Sequence, residues 1–193
     1  MNFSAFFSYV LLTAFTPGPN NVMALTNASR DGLKRTLPFL AGIIAGFIVV
    51  IAACAAFSSL LYDFIPSIKP VMVLIGAAYI LRLAWTVWRD KPYEGKNGIA
   101  QANSFSSGML LQFINVKVIL YGITAMSSYV LPHYRDVAAV AFFAMLLSAV
   151  GASGCLSWAV FGAAFEKVFN KYRKVLNLSM ALLLGYCAVS LFL

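Results

Sequence analysis

The sequence predicts an all-α integral membrane protein with six transmembrane helices, arranged as a 3+3 inverted repeat. Three observations support this prediction. Hydrophobic residues make up 62% of the chain and charged residues 10%, with a mean hydropathy of +0.86, which is incompatible with a soluble surface. Several apolar stretches reach the roughly 20 residues that a membrane-spanning helix needs. Basic residues are concentrated in alternate loops between these stretches.

The six predicted spans cover residues 3–28, 37–62, 71–88, 105–131, 137–165 and 175–193. The first stretch has no basic segment before it and no small-residue cleavage site, so we interpret it as a retained span and not as a signal peptide. The remaining chain is too short for a soluble domain. The whole sequence, 1–193, is therefore predicted to form a single membrane domain.

The distribution of basic residues predicts the orientation, because Lys and Arg in short loops stay on the cytoplasmic side. Both termini are thus expected to face outward, away from the cytoplasm. The net charge of +8 is explained by the basic loops that fix the orientation in the membrane. A nucleic-acid partner is therefore not expected. The loops after spans one, three and five are rich in basic residues: Arg30, Lys34, Arg35, Arg89, Lys91, Lys96, Lys167, Lys171, Arg173 and Lys174. The opposite side carries only Lys69 and Arg135.

The one long polar connection, 89–104, predicts a cytoplasmic linker between two groups of three spans, 1–88 and 105–193. Because three is odd, the second group must enter the membrane from the opposite side, which gives the inverted repeat common among secondary transporters. Small residues in span two, Gly42 and Gly46, predict close helix packing. A moving interface at this pair is the alternative interpretation.

The first span contains a strong helix break at mid-depth, Thr16-Pro17-Gly18-Pro19-Asn20-Asn21. Two prolines remove backbone donors and glycine loosens the chain. Unpaired backbone at membrane depth is tolerated only beside protein or water, and transporters use such breaks to hold polar solutes. The second half of the span would start near Pro19, with its positive dipole end at the membrane midplane.

Span four carries a second polar cluster, Gln112-Phe113-Ile114-Asn115-Val116-Lys117. The distance from Phe105 to Lys117 is about 18 Å along a helix, near the middle of a hydrocarbon layer of about 30 Å. A cation at this depth favours a pathway role, with snorkelling toward a span end as the alternative.

On a regular helix Asn115 and Lys117 would lie about 200° apart, so both can face one cavity only if the helix unwinds. The alternative is that the two residues make different contacts. On a regular helix Lys117 would head a polar stripe with Tyr121, Thr124 and Ser128. Gln112 and Asn115 would form another edge that holds the freed carbonyls of Pro17 and Gly18. Hydrogen bonding between helices, without a role in binding, is the alternative for each of these residues.

These motifs resemble the LysE/RhtB family of amino-acid exporters, whose members have Pro-Gly-Pro in span one and Asn-Pro-Lys in span four. The likeness includes Thr16 to Asn21, Gln112 to Lys117 and the run from Leu120 to Thr124, and it covers essentially the whole chain. Val116 stands where many relatives have proline. Unwinding in span four is therefore expected to depend on Gly122 and the polar residues.

The resemblance implies export of small neutral amino acids across the inner membrane of a bacterium. It favours cysteine and O-acetylserine, with homoserine and threonine as the alternative. Lys117 and the start of the second half-helix would bind the substrate carboxylate. Carbonyls of Thr16 to Gly18 and the side-chain oxygens of Asn20, Asn21 and Asn115 would bind the ammonium. The resulting set of site residues is Thr16, Pro17, Gly18, Pro19, Asn20, Asn21, Gln112, Asn115, Lys117, Tyr121 and Thr124.

Energy would come from an ion gradient, because the sequence has no phosphate-binding loop, and the resemblance implies proton exchange. Lys117 is the best internal proton carrier, followed by Asp63 and Glu166, since all carboxylates lie in loops or at span ends. No metal or cofactor is expected, because the cysteines and the single histidine lack paired spacing. An enzyme would need a buried nucleophile with His, Asp or metal, which the spans do not supply. A passive channel remains the alternative from another class.

Overall fold

A computed structural model of the chain describes residues 1–89 and 103–192, with the side chains of residues 58–69 and 170 excepted. The regular structure of this part of the chain is helical throughout, as predicted. Most of the predicted linker 89–104 and the side chains of Asp63 and Lys69 lie outside the described residues. The helices are α1 (Phe3–Phe15), α2 (Pro19–Asp31), α3 (Leu33–Trp88), α4 (Phe105–Ile114), α5 (Val116–Thr124) with a π-helical continuation over Ala125–Val130, α6 (Val137–Ala164), α7 (Glu166–Lys171) and α8 (Arg173–Val189).

Three helical segments in the described part are long and apolar enough to cross a membrane: Leu33–Phe57, Pro70–Trp88 and Val137–Ala164. The first two belong to α3, which is kinked at Phe57 (φ −114°, ψ 17°). The pair α4 and α5 forms a fourth candidate that is bent by 62°. The predicted first span is divided into α1 and α2, each of 13 residues. The predicted sixth span corresponds to α8, which has 17 residues.

Glycines bring α3 and α4 into backbone contact. A Cβ atom on Gly42 would overlap the carbonyl oxygen of Phe105, and one on Gly108 would overlap that of Phe39. Farther along, Gly122 of α5 packs against Ile51 and Cys54. Residue numbers rise together along this contact, so the first part of α3 runs parallel to α4 and α5.

A similar contact joins α6 to the first two helices. Gly154 lies against the carbonyl oxygen of Ala14, and Gly162 lies against that of Leu25. The direction is again parallel. Small residues at these positions allow main chains to approach closely, which is the main packing device where lipid replaces water.

The central element of the bundle is α2, whose residues from Pro19 to Ser29 are all buried. Five of these side chains are polar: Asn20, Asn21, Thr26, Asn27 and Ser29. Burying a polar group without a partner is costly. The polar side chains at the start of α2 must therefore find hydrogen bonds inside the bundle, and these bonds define the site.

Candidate functional site

The first helix break has the predicted position. Helix α1 ends at Phe15, and Thr16 is extended (φ −67°, ψ 152°). Gly18 is also extended (φ −165°, ψ 170°), and α2 begins at Pro19. Proline suits this first position because its missing N–H would have no partner inside the helix.

Each carbonyl that the break releases has a hydrogen-bond donor. Asn21 Nδ2 donates to Ala14 O and Thr16 O, both at 2.9 Å. Trp158 Nε1 of α6 donates to Phe15 O at 3.1 Å. Lys117 Nζ donates to Thr16 O and Pro17 O at 3.2 and 3.3 Å. Side chains thus replace the helical hydrogen bonds, as buried backbone requires.

The second break is made by one residue. Helix α4 ends at Ile114, and Asn115 is extended (φ −80°, ψ 94°). Its Oδ1 accepts a hydrogen bond from Lys117 N at 3.1 Å, so the side chain caps α5. The expectation that Gly122 contributes to the unwinding of span four is wrong, because Gly122 remains helical within α5. The bend at Asn115 allows Asn115 and Lys117 to line the same cavities.

A triad of amide side chains connects the two breaks. Asn20 Nδ2 donates to Gln112 Oε1 at 2.8 Å, and Gln112 Nε2 donates back to Asn20 Oδ1 at 3.2 Å. Asn115 Nδ2 donates to the same oxygen of Asn20 at 2.9 Å. All three side chains are buried.

This triad corrects one expectation. Gln112 and Asn115 do not hold the carbonyls of Pro17 and Gly18. Lys117 binds the carbonyl of Pro17, and Gly18 O accepts from Val22 N at 2.9 Å within the first turn of α2. Gln112 and Asn115 instead form hydrogen bonds with Asn20 between the two broken helices.

Lys117 reaches across the bundle to the end of α1. Its ammonium lies 3.0 Å from Thr16 Oγ1, in addition to the carbonyl oxygens of Thr16 and Pro17. The Thr16 hydroxyl donates its own hydrogen to Thr13 O at 3.2 Å, which leaves a lone pair for Lys117. We call these three oxygens the ammonium cage. Lys117 therefore does not snorkel toward a span end.

Two cavities meet at Lys117. The smaller, of about 30 Å³, includes Gly18, Asn20, Asn21 and Cys155 in its wall, and it has room for one water molecule. The larger, of about 500 Å³, is lined in part by Thr16, Pro17, Pro19 and Cys187, and its volume is in the range of small-molecule sites. Residues that line both are Thr13, Asn115, Lys117 and Tyr121.

The structure therefore brings most of the predicted site residues together. Tyr121 is fixed by a hydrogen bond from its hydroxyl to Leu147 O at 3.0 Å. Gln112 stands behind Asn20 and lines neither cavity, and Thr124 also lies outside both. Of the predicted polar stripe that starts at Lys117, only Lys117 and Tyr121 therefore line the cavities.

Sequence reasoning missed several wall residues. Cys155 and Cys187 are not among the predicted site residues, yet each lines one of the cavities. Cys155 Sγ also donates to Asn21 Oδ1 at 3.1 Å. Thr13 lies one turn before the break, and this spacing was a signal that could have identified it. Trp158 is distant in sequence from the carbonyl it binds, so no local pattern pointed to that contact.

Comparison with known proteins identifies the family. A model of LysE type translocators matches residues 11–193. The chain belongs to the LysE type translocator family. The resemblance of the two motifs to this family is thus confirmed, and the apolar helices are those of a multi-pass membrane transporter.

Several known proteins are similar to this chain over almost their full length. A cysteine/O-acetylserine efflux protein of Klebsiella pneumoniae is 45% identical over 96% of this chain and 94% of the relative. One of Escherichia coli K12 is 41% identical over 98% and 96%, and one of Salmonella typhimurium is 43% identical over 100% and 98%. None of the solved structures matches the chain significantly.

Proposed function

We propose that this LysE type translocator exports small neutral amino acids from the cytoplasm, with cysteine and O-acetylserine as its main substrates. The observation that carries the proposal is the meeting of Lys117 with the broken end of α1 at the junction of two cavities. Relatives at 41–45% identity are named cysteine/O-acetylserine efflux proteins. These names support the choice of substrate.

The site offers partners for both charges of a zwitterion. The Thr16 and Pro17 oxygens suit an ammonium, and the Lys117 ammonium suits a carboxylate. The first amides of α2, at Asn20 and Asn21, add donors with the positive end of a helix dipole on the side of the adjoining smaller cavity, whose wall contains both residues. We assign substrate binding to the larger cavity, because the smaller one holds only one water. Thr124 and Gln112 are proposed to act indirectly, through the walls of the site.

The proposed architecture is six spans in a 3+3 inverted repeat, with repeats at 1–88 and 105–193, joined by a cytoplasmic linker over 89–104. Two features support it. Helix breaks occur at comparable places in the first and fourth spans. In addition, the first span runs parallel to the fifth, and the second runs parallel to the fourth. A repeat that relates span one to span four and span two to span five would convert one of these parallel pairs into the other. Asn103 Nδ2 donates to Asp31 Oδ2 at 2.8 Å, so the end of α2 and the start of α4 lie on one side. With both termini in the periplasm, this side is cytoplasmic and the protein lies in the bacterial inner membrane.

Proton exchange is the proposed source of energy. Among the described residues, Lys117 is the one ionisable amine in the walls of the two cavities, which supports it as the proton carrier. Glu166 is exposed at the start of α7, far in sequence from either break. It is therefore a weaker candidate than Lys117.

The test is uptake of labelled cysteine and O-acetylserine into inside-out vesicles, with and without an imposed proton gradient. Labelled threonine and homoserine serve as comparison substrates, and vesicles without the protein serve as the background. The proposal predicts saturable accumulation of cysteine and O-acetylserine that collapses with the gradient. Equal flux without accumulation would identify a passive channel. Preferential uptake of threonine or homoserine would refute the substrate assignment.

A further inference from the structure

The ammonium cage is a complete site for a primary ammonium. A lysine ammonium has three N–H donors, and the cage supplies three acceptors at 3.0, 3.2 and 3.3 Å from Nζ. All three oxygens are neutral, and Lys117 forms no ion pair within the described part of the chain. Its charge is therefore held by the same kind of oxygens that would bind the ammonium of an amino acid.

We infer that Lys117 is a tethered competitor of the substrate ammonium: the substrate binds by displacing Lys117 from the Thr16 and Pro17 oxygens, and the displaced Lys117 binds the substrate carboxylate. The inference rests on the proposed function, because it needs a zwitterionic substrate at this site. It adds a rule of selectivity. A ligand with an ammonium but no carboxylate would displace Lys117 and leave the Lys117 cation without a partner. A ligand with a carboxylate but no ammonium would fail to displace Lys117.

The surroundings of Lys117 allow the exchange. Its backbone is fixed by the cap from Asn115, while its side chain lines both cavities. Gly18 provides the space along this path, since a Cβ atom there would lie 3.0 Å from Lys117 Nζ and 3.1 Å from its Cδ. Thr16 and Pro17 line the larger cavity, so a ligand entering it meets the cage oxygens directly.

The inference predicts a reversal of ligand selectivity in Lys117→Met. In the wild type, cysteine should bind well, whereas cysteamine, which lacks the carboxylate, and 3-mercaptopropionate, which lacks the ammonium, should bind about tenfold more weakly or worse. Removing the Lys117 cation vacates the cage. Cysteamine should then bind Lys117→Met about tenfold more tightly than it binds the wild type, while cysteine loses affinity.

The experiment is calorimetric titration of purified protein in nanodiscs with these three ligands and with O-acetylserine, under reducing conditions. Lys117→Arg is the control that keeps the charge, and it should not gain affinity for cysteamine. Thr16→Val in the Lys117→Met background removes one cage oxygen and should reverse the gain. Lys117→Gln also removes the cation and provides the same test if Lys117→Met does not fold.

The outcomes separate the two claims. If the wild type binds cysteine but neither Lys117→Met nor Lys117→Gln gains affinity for cysteamine, the competition is refuted and the proposed function stands. If the wild type binds neither cysteine nor O-acetylserine, the proposed substrates are refuted. The proposed competition between Lys117 and these substrates is then refuted as well. A gain for cysteamine that Thr16→Val abolishes would support the exchange at this cage.

Discussion

Asn20 and Gln112 exchange two side-chain hydrogen bonds, at 2.8 and 3.2 Å, although 92 residues separate them in sequence. Both amides are buried, at 5% and 0% exposure. Asn20 stands at the start of α2 and Gln112 near the end of α4. This pair joins the two broken helices at the level of the breaks and positions the wall that faces Lys117.

Gln112→Leu should destabilise the protein, because it leaves Asn20 Nδ2 buried without its acceptor, while Asn20 Oδ1 keeps the bond from Asn115. Such a loss costs roughly 1–3 kcal/mol, and the midpoint of thermal unfolding in detergent should fall. The double variant Asn20→Leu with Gln112→Leu should lose less than the sum of the two single variants. Strictly additive losses would show that the pair is not coupled.

Val116→Pro should preserve both folding and transport. Val116 is the first residue of α5, where a missing N–H is tolerated and the fixed φ of proline suits the helix. Asn115 already has the extended backbone that a following proline requires. Val118→Pro is the matched control, because Val118 N donates to Asn115 O at 3.0 Å. It should lower the yield of folded protein, and equal damage from both prolines would contradict the assigned break.

Gly46→Ala should destabilise the contact between α3 and α4. The new Cβ atom would lie 2.5 Å from Gln112 Cγ and 2.9 Å from its Cβ, and Gln112 cannot move without breaking its bonds to Asn20. Overpacking of this kind costs about 1–3 kcal/mol. Gly185→Ala is the control, since no atom of the described residues beyond its own stretch of helix lies within 4 Å of its added Cβ. If Gly46→Ala had the same unfolding midpoint and transport rate as Gly185→Ala, that result would argue against tight packing at Gly46.

Cys187 should react with N-ethylmaleimide faster than Cys155 or Cys54 in variants that retain one cysteine each. Cys187 lines the larger cavity, Cys155 lines the one of about 30 Å³, and Cys54 lines neither. Saturating O-acetylserine should slow the reaction at Cys187, because it would occupy the same cavity. Labelling rates followed by mass spectrometry check this prediction. If O-acetylserine slowed the reaction at Cys54 instead of Cys187, the substrate would bind outside the larger cavity.

The sequence predicted the helical class and the first break, because Pro-Gly-Pro acts through local backbone chemistry. It left the break at Asn115 as one of two alternatives, and the structure shows that break. It did not predict the partners of the freed carbonyls. Trp158 and Lys117 lie 143 and 101 residues from the carbonyls they bind, so only the tertiary fold brings them together. The pairing of Gln112 with Asn20 was missed for the same reason. Gly122 was misjudged because Asn115 alone ends α4 and caps α5.

The central claim is that Lys117 and the broken end of α1 form the substrate site. The most direct measurement is gradient-driven uptake of labelled O-acetylserine into inside-out vesicles by Lys117→Ala, compared with wild type and Lys117→Arg at equal amounts of protein in the membrane. We expect the alanine variant to lose about tenfold or more of the uptake and the arginine variant to retain a larger part of it. Uptake by Lys117→Ala at the wild-type rate would contradict the account.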